Sequence, residues 1–152
     1  MSPRAAWRLE SAGFTPVYDY VAGKADWLAA DLPFDGTAQL VGQVTRRDVA
    51  TASQDTPAAE AIRRLDARGF GPVIVLNQAG VVMGAVHRDR LASAADDTAA
   101  GALMRFGVTT VRPSEQAEDV VHRMSHAEVS RLVVTRSDGT LIGLFFAEDF
   151  TP

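Results

Sequence analysis

One stretch of this chain occurs twice, and nothing else in the sequence limits the possible folds as much. VATASQDTPAAEAIRRLDARGFGPVIVLNQAGVVMGAVHRDRL runs from Val49 to Leu91. VTTVRPSEQAEDVVHRMSHAEVSRLVVTRSDGTLIGLFFAEDF runs from Val108 to Phe150. The offset is constant: 108 minus 49 is 59, as are 139 minus 80 and 143 minus 84. Val49/Val108, Thr51/Thr110, Ala58/Ala117, Arg64/Arg123, Val75/Val134, Gly80/Gly139 and Gly84/Gly143 are identical pairs. An ungapped match of this length marks a duplicated supersecondary unit, and the fold must accommodate two copies of it.

Each copy opens on a short extended piece, Val49-Ala50-Thr51 or Val108-Thr109-Thr110-Val111, and continues through a polar stretch. Asp55 or Thr56 in the first copy and Ser114 in the second are placed to cap a helix, and Pro57 suits its first turn. Ala58, Ala61, Ile62 and Leu65 have the i, i+3, i+4, i+7 spacing of a buried helical stripe, repeated by Ala117, Val120, Val121 and Met124. Gly69 is placed to end the first helix. The continuous apolar runs Pro72–Leu76 and Arg131–Thr135 predict strands buried on both faces. The turns Asn77–Gly80 and Arg136–Gly139 join them to return strands at Val81–Val86 and Leu141–Phe145. A short helix follows each, from Arg88 to about Ala95 and from Ala147 onward. The unit is β-α-β-β-α, twice, a mixed α/β (α+β) chain.

Composition narrows the function classes. Hydrophobic residues make up 47% and charged residues 22%, and mean hydropathy is near zero, the balance of a soluble globular protein. No apolar run approaches the roughly 18 residues of a spanning helix, and MSPRAAWRLE lacks a signal peptide's apolar core. The expectation is a cytoplasmic protein with no membrane partner. Cysteine is absent, which excludes disulfides, thiolate metal sites and cysteine nucleophiles. A net charge of −4 argues against duplex nucleic acid. His122 and His126 stand at i, i+4 without the HExxH frame of a metal helix, and Ser125, Ser130 and Ser137 sit in no nucleophile elbow. No catalytic and no metal-ligating set is read from the sequence.

The doubled unit, with its closing pattern Gly-x-apolar-x-x-x-x-apolar, resembles a CBS domain, a family whose members occur in tandem as a pseudo-twofold pair (a Bateman module). The resemblance covers about Gly42 to Phe150. Val44–Val49 looks like the usual lead-in to the first repeat, and Leu103–Val111 matches the lead-in to the second better. Residues 37–101 and 102–152 are read as the two repeats. Residues 1–36 form an extension of helix, strand and helix that looks like the C-terminal part of a rhodanese domain, without that family's catalytic cysteine. Its apolar residues Trp7, Leu9, Phe14, Val17, Tyr18, Tyr20, Trp27 and Leu28 are available to cover the CBS pair.

The CBS resemblance implies a ligand site between the repeats. Family members that bind adenosyl ligands carry Gly-x-apolar-Thr-x-x-Asp in the closing segment, and the carboxylate accepts two hydrogen bonds from the ribose diol. In the second repeat Asp149 fills the acid slot and Phe146 replaces the hydroxyl. Arg131 begins a strand where AMP-binding members often carry a basic residue. The candidate site is therefore Thr109, Val111, Arg131, Leu132, Phe146 and Asp149, facing Gly71, Pro72 and Val73. Phe146 either stacks on a base or fills the core, and Asp149 either grips a ligand or opens a helix. A second site would use Thr51, His87 and Arg90, which depart from the pattern at both key slots.

These residues imply a non-catalytic sensor that binds AMP, ADP, ATP or S-adenosylmethionine, with no obligatory cofactor, and that dimerises through its CBS modules. The alternative is a ligand-free structural, dimerisation or protein-interaction module whose nucleotide sites have decayed.

Overall fold

The computed structural model describes residues 3–21 and 23–151. Its helices are α1 (Pro3–Ser11), α2 (Gly23–Ala29), α3 (Ala58–Arg68), α4 (Arg88–Ala92), α5 (Ala100–Leu103) and α6 (Ala117–His126). Its strands are β1 (Thr51–Ser53), β2 (Val73–Leu76), β3 (Val82–Val86), β4 (Arg105–Phe106), β5 (Thr110–Val111), β6 (Arg131–Thr135) and β7 (Leu141–Phe146). Single turns of 3₁₀ helix stand at Val41–Gln43 and Ala147–Asp149. Two sheets result, in the orders β1-β2-β3-β4 and β5-β6-β7. In each, the first pair is parallel and the hairpin is antiparallel, so the duplicated β-α-β-β order is found; the closing helix expected from Arg88 to about Ala95 ends at Ala92, and the one expected from Ala147 is a single 3₁₀ turn, Ala147–Asp149.

The helical stripes bury as their spacing dictates. Ala58, Ala61 and Leu65 of α3 lie in the first repeat's core with Val73, Val75 and Val86. Ala117, Val120 and Met124 of α6 lie in the second with Val134 and Phe145. A third cluster joins the repeats and is built from equivalent pairs: Val49 with Val108, Ile74 with Val133, and Ala85 with Leu144.

The pseudo-twofold shows in the backbone. Val82 N–H donates to Gly139 O and Leu141 N–H to Gly80 O, both at 3.1 Å, so the two hairpin tips pair across the axis. Each lead-in segment crosses to the opposite repeat. Arg46 bridges Leu144 of the second hairpin, and Arg105 of β4 pairs with Ala85 of the first. These crossings explain the glycine pair at 84 and 143. A Cβ on Gly84 would stand 2.4 Å from Arg105 O, and one on Gly143 would stand 2.2 Å from Arg46 O. Only a residue without a side chain admits a backbone that close.

Three sequence expectations are corrected. The helix caps Asp55, Thr56 and Ser114 do not cap: neither α3 nor α6 has a side-chain cap bond. Thr56 Oγ1 accepts from Ser53 N–H instead, and the helix starts are satisfied by crossing backbone, Ala58 N–H donating to Thr98 O and Ala117 N–H to Gln39 O. The strand expected between α1 and α2 is absent. Phe14–Tyr20 joins neither sheet, and Pro16 withholds a donor. The extension also covers less than its composition implied. Leu28 and Ala29 of α2 are buried, and Arg136 ion-pairs with Asp26 at 2.7 Å. Trp7, Phe14 and Tyr18 remain 65%, 60% and 79% exposed.

Candidate functional site

Two half-sites flank the pseudo-twofold, each where a lead-in segment meets the opposite hairpin, and they have diverged. In the Asp149 half the space is filled from within. Arg46 Nε donates to Asp149 Oδ2 at 2.6 Å and Arg46 Nη2 to Asp149 Oδ1 at 2.5 Å, a bidentate pair. Nη2 also reaches Glu148 Oε1 at 3.2 Å. The guanidinium lies 4.4 Å from the centre of the Phe146 ring and 5.2 Å from that of Phe70. The two rings meet edge to face at 5.8 Å. The Asp149 hydrogen bond raises the Arg46 pKa above its ordinary value, and this outweighs the opposing effect of desolvation. Both carboxylate oxygens that a diol would use are engaged by the chain itself.

The other half is open. A cleft of ≈ 340 Å³ is lined by Pro72, Ala85, His87, Val108, Thr109, Glu128, Val129, Ser130, Arg131, Leu132, Val133 and Leu144. That volume suits a small ligand. The 59-residue offset explains why this half is empty and the other full. Val129 stands where Phe70 stands, and His87 where Phe146 stands, so two smaller side chains replace two phenylalanines. The slot of Arg46 is held by Arg105 and the slot of Asp149 by Arg90, so an ion pair on one side becomes two cations on the other.

The structure therefore regroups the residues singled out from the sequence. Thr109, Arg131, Leu132 and Pro72 line one cleft, and His87, assigned to the second site, lies with them. Asp149 and Phe146 lie in the filled half; Phe146 is 7% exposed and belongs to the inter-repeat core. Arg131 sits between the halves, its guanidinium 5.8 Å from the Phe146 ring centre. Gly71 adjoins Phe146 of the filled half: its φ is +75°, and a Cβ there would stand 2.7 Å from Leu144 Cδ1 and 3.9 Å from Phe146 Cζ. Val73 and Val111 are buried in the cores of the two repeats and are not among the cleft's lining residues. Thr51 lines a separate shallow hollow with Arg64 and Arg68. Arg90 is exposed in α4, after His87.

Arg46, Arg105 and Glu128 were not singled out from the sequence. Arg46 and Arg105 are an identical pair at the repeat offset, and extending the comparison a few residues upstream would have found them. Glu128 has φ +54° and takes the left-handed position that Gly69, at φ +75°, holds after α3. Its mismatch with Gly69 was the available signal. His122 and His126 lie side by side on an exposed face, and among the described residues no group of three or more potential ligands is arranged for a metal. Among those residues, no helix is long and apolar enough to cross a membrane.

Comparison with known proteins agrees with this architecture. The CBS domain family model matches residues 40–97 and 100–151. That match begins after the extension and lends no support to a rhodanese origin for residues 1–36. The chain is 28% identical over 116 residues to the uncharacterized protein MK0525 of Methanopyrus kandleri, covering 72% of this chain and 59% of that one. It thus spans only 59% of the length of that curated relative. It superposes on the CBS domain pair of protein MJ0100, solved in complex with 5′-methylthioadenosine and S-adenosyl-L-methionine, with a TM-score of 0.64 at 20% identity, covering 74% of this chain and 93% of that one. It superposes on CBSX2, solved in complex with AMP, with a TM-score of 0.62 at 21% identity, covering 72% and 91%.

Proposed function

The chain belongs to the CBS domain family, and from that premise we propose that it is a non-catalytic regulatory module that binds an adenine nucleotide or a related adenosyl compound in the cleft beside Arg131. The observation that carries this reading is the inequality of the two halves: one is filled by Arg46, Phe70 and Phe146, and the other is open, with a basic side chain at its edge. Structural neighbours bind AMP, S-adenosylmethionine and methylthioadenosine. In the open cleft, apolar Pro72, Val108 and Leu132 would hold the base, Thr109 would offer a hydroxyl, and Arg131 would meet phosphate. Repeats at 37–101 and 102–152 would act as one sensing unit, dimerised through its CBS modules in the cytoplasm, with residues 1–36 as a non-catalytic extension.

A second reading is a structural or interaction module that binds no nucleotide. The Arg46–Asp149 pair favours it, because an internal cation has taken the one acid slot that matches the family pattern. Thermal unfolding with AMP, ADP, ATP and S-adenosylmethionine separates the two. A ligand at 100 times its Kd stabilises by about 2.7 kcal/mol. A shift with at least one compound supports the sensor; no shift with any favours the second reading.

A further inference from the structure

Arg90, Arg105 and Arg131 are set apart from the other arginines of the repeats. Among the described residues, every other arginine of the repeats is paired with a carboxylate, Arg112 excepted, and Arg112 is held by Thr135. Among the described residues no ion pair engages the three, and all three are exposed. One lines the open cleft, and the other two stand beside residues that do. Arg131 lines the open cleft. Arg105 pairs in β4 with Ala85, which lines it too. Arg90 follows cleft-lining His87 by three residues, in the slot where the other half carries Asp149. Of these three, Arg131 lines the open cleft, and Arg105 and Arg90 are neighbours of residues that line it. Glu128 is the sole carboxylate among the cleft's lining residues.

We infer that this cleft selects its ligand by phosphate charge, not by a carboxylate grip on ribose. This rests on the reading of the cleft as an adenosyl site and specifies what that site requires: a multiply charged phosphate ester, with its anionic end on Arg131, Arg105 and Arg90. A site without an acid at the ribose slot forgoes two charge-assisted hydrogen bonds to a diol. Unpaired guanidinium groups offer charge-assisted donors to phosphate oxygens, and arginine suits bidentate contact with them. S-adenosylmethionine carries a sulfonium cation and meets repulsion in the same field.

Calorimetric titration of the intact chain with ATP, ADP, AMP, adenosine, S-adenosylmethionine and inorganic tripolyphosphate tests this. Affinity should rise from AMP to ADP to ATP and fall with added salt. Adenosine and S-adenosylmethionine should bind at least roughly tenfold more weakly than ATP, and Arg131→Gln or Arg105→Gln should each weaken ATP by about tenfold. Arg63→Gln, on a distant helix face, should change nothing. Glu128→Gln should tighten ATP binding; a loss would mean that Glu128 grips the ribose, and would overturn the inference. Adenosine or S-adenosylmethionine binding as tightly as ATP overturns it as well, and leaves the adenosyl reading standing. Tripolyphosphate binding as tightly as ATP overturns the adenosyl reading and leaves the phosphate selection standing. No binding by any compound overturns both.

Discussion

Arg46 holds Asp149 through two hydrogen bonds of 2.6 and 2.5 Å, across 103 residues of sequence. The pair closes one of two half-sites that the duplication made alike. The equivalent positions in the other half hold two cations, Arg105 and Arg90, and that half is open. Asp149, the residue nearest to the family's ribose-binding pattern, is engaged by the chain itself, and we propose a structural role for it. Asp149→Asn should leave nucleotide affinity unchanged while lowering the melting temperature, since Arg46 loses its bidentate partner. Calorimetric titration beside a thermal melt checks both; loss of binding without loss of stability would count against this assignment.

The glycines at the crossings make a second case. Gly84→Ala and Gly143→Ala each push a Cβ against a backbone carbonyl, at 2.4 and 2.2 Å. Backbone cannot yield as a flexible side chain does, so each change should destabilise by about 3 kcal/mol. Gly36→Ala, whose Cβ would meet only the Phe34 ring at 3.5 Å, should stay within about 0.5 kcal/mol of the wild type. Urea unfolding gives all three values; equal stabilities would show that the lead-in segments do not cross as described.

Glu128 sits at φ +54°, where a residue with a Cβ is strained and Gly69 in the equivalent place is not. Glu128→Gly should stabilise the ligand-free chain by about 1 kcal/mol, a gain reduced by glycine's greater freedom in the unfolded chain. Denaturant unfolding measures it. Destabilisation would mean that the Glu128 side chain contributes more than its backbone costs.

Acid should weaken the fold in a defined direction. The pKa of Glu60 is lowered by hydrogen bonds from Arg63 and then Arg64, and that of Asp138 by the backbone N–H and then the hydroxyl of Thr140. A carboxyl whose folded pKa lies below its unfolded value contributes stability above the unfolded pKa, near pH 4 for these groups, and loses it as pH falls through the folded value. Melting temperature should therefore drop as pH falls below about 4, and Asp138→Ala should flatten part of that drop. An acid profile unchanged by the substitution would remove Asp138 from the account.

Much of this was legible in the sequence, for a physical reason. Helical stripes such as Ala117, Val120 and Met124 and apolar runs such as Val73–Leu76 report local burial, and local burial repeats when a unit is duplicated. What stayed hidden was long-range. Thr56 and Ser114 have the chemistry of caps, yet carbonyls of Thr98 and Gln39 reach the helix starts first, because each lead-in segment crosses to the opposite repeat. The same crossing brings Arg46 to Asp149, while Thr109 lines the open cleft. Slot-by-slot comparison identified Arg90 and His87 as departures. It could not show that their half stays open while the half matching the pattern is filled.

The central claim is that the two halves are unequal and only the one beside Arg131 takes a ligand. Stoichiometry tests it most directly. ATP titrated calorimetrically into the wild-type chain and into Arg46→Ala, which frees Asp149, should give one molecule per chain in the wild type, on a site that Arg131→Gln weakens. Two equivalent molecules per wild-type chain, or a single site that Arg131→Gln leaves intact and Asp149→Asn abolishes, would contradict it.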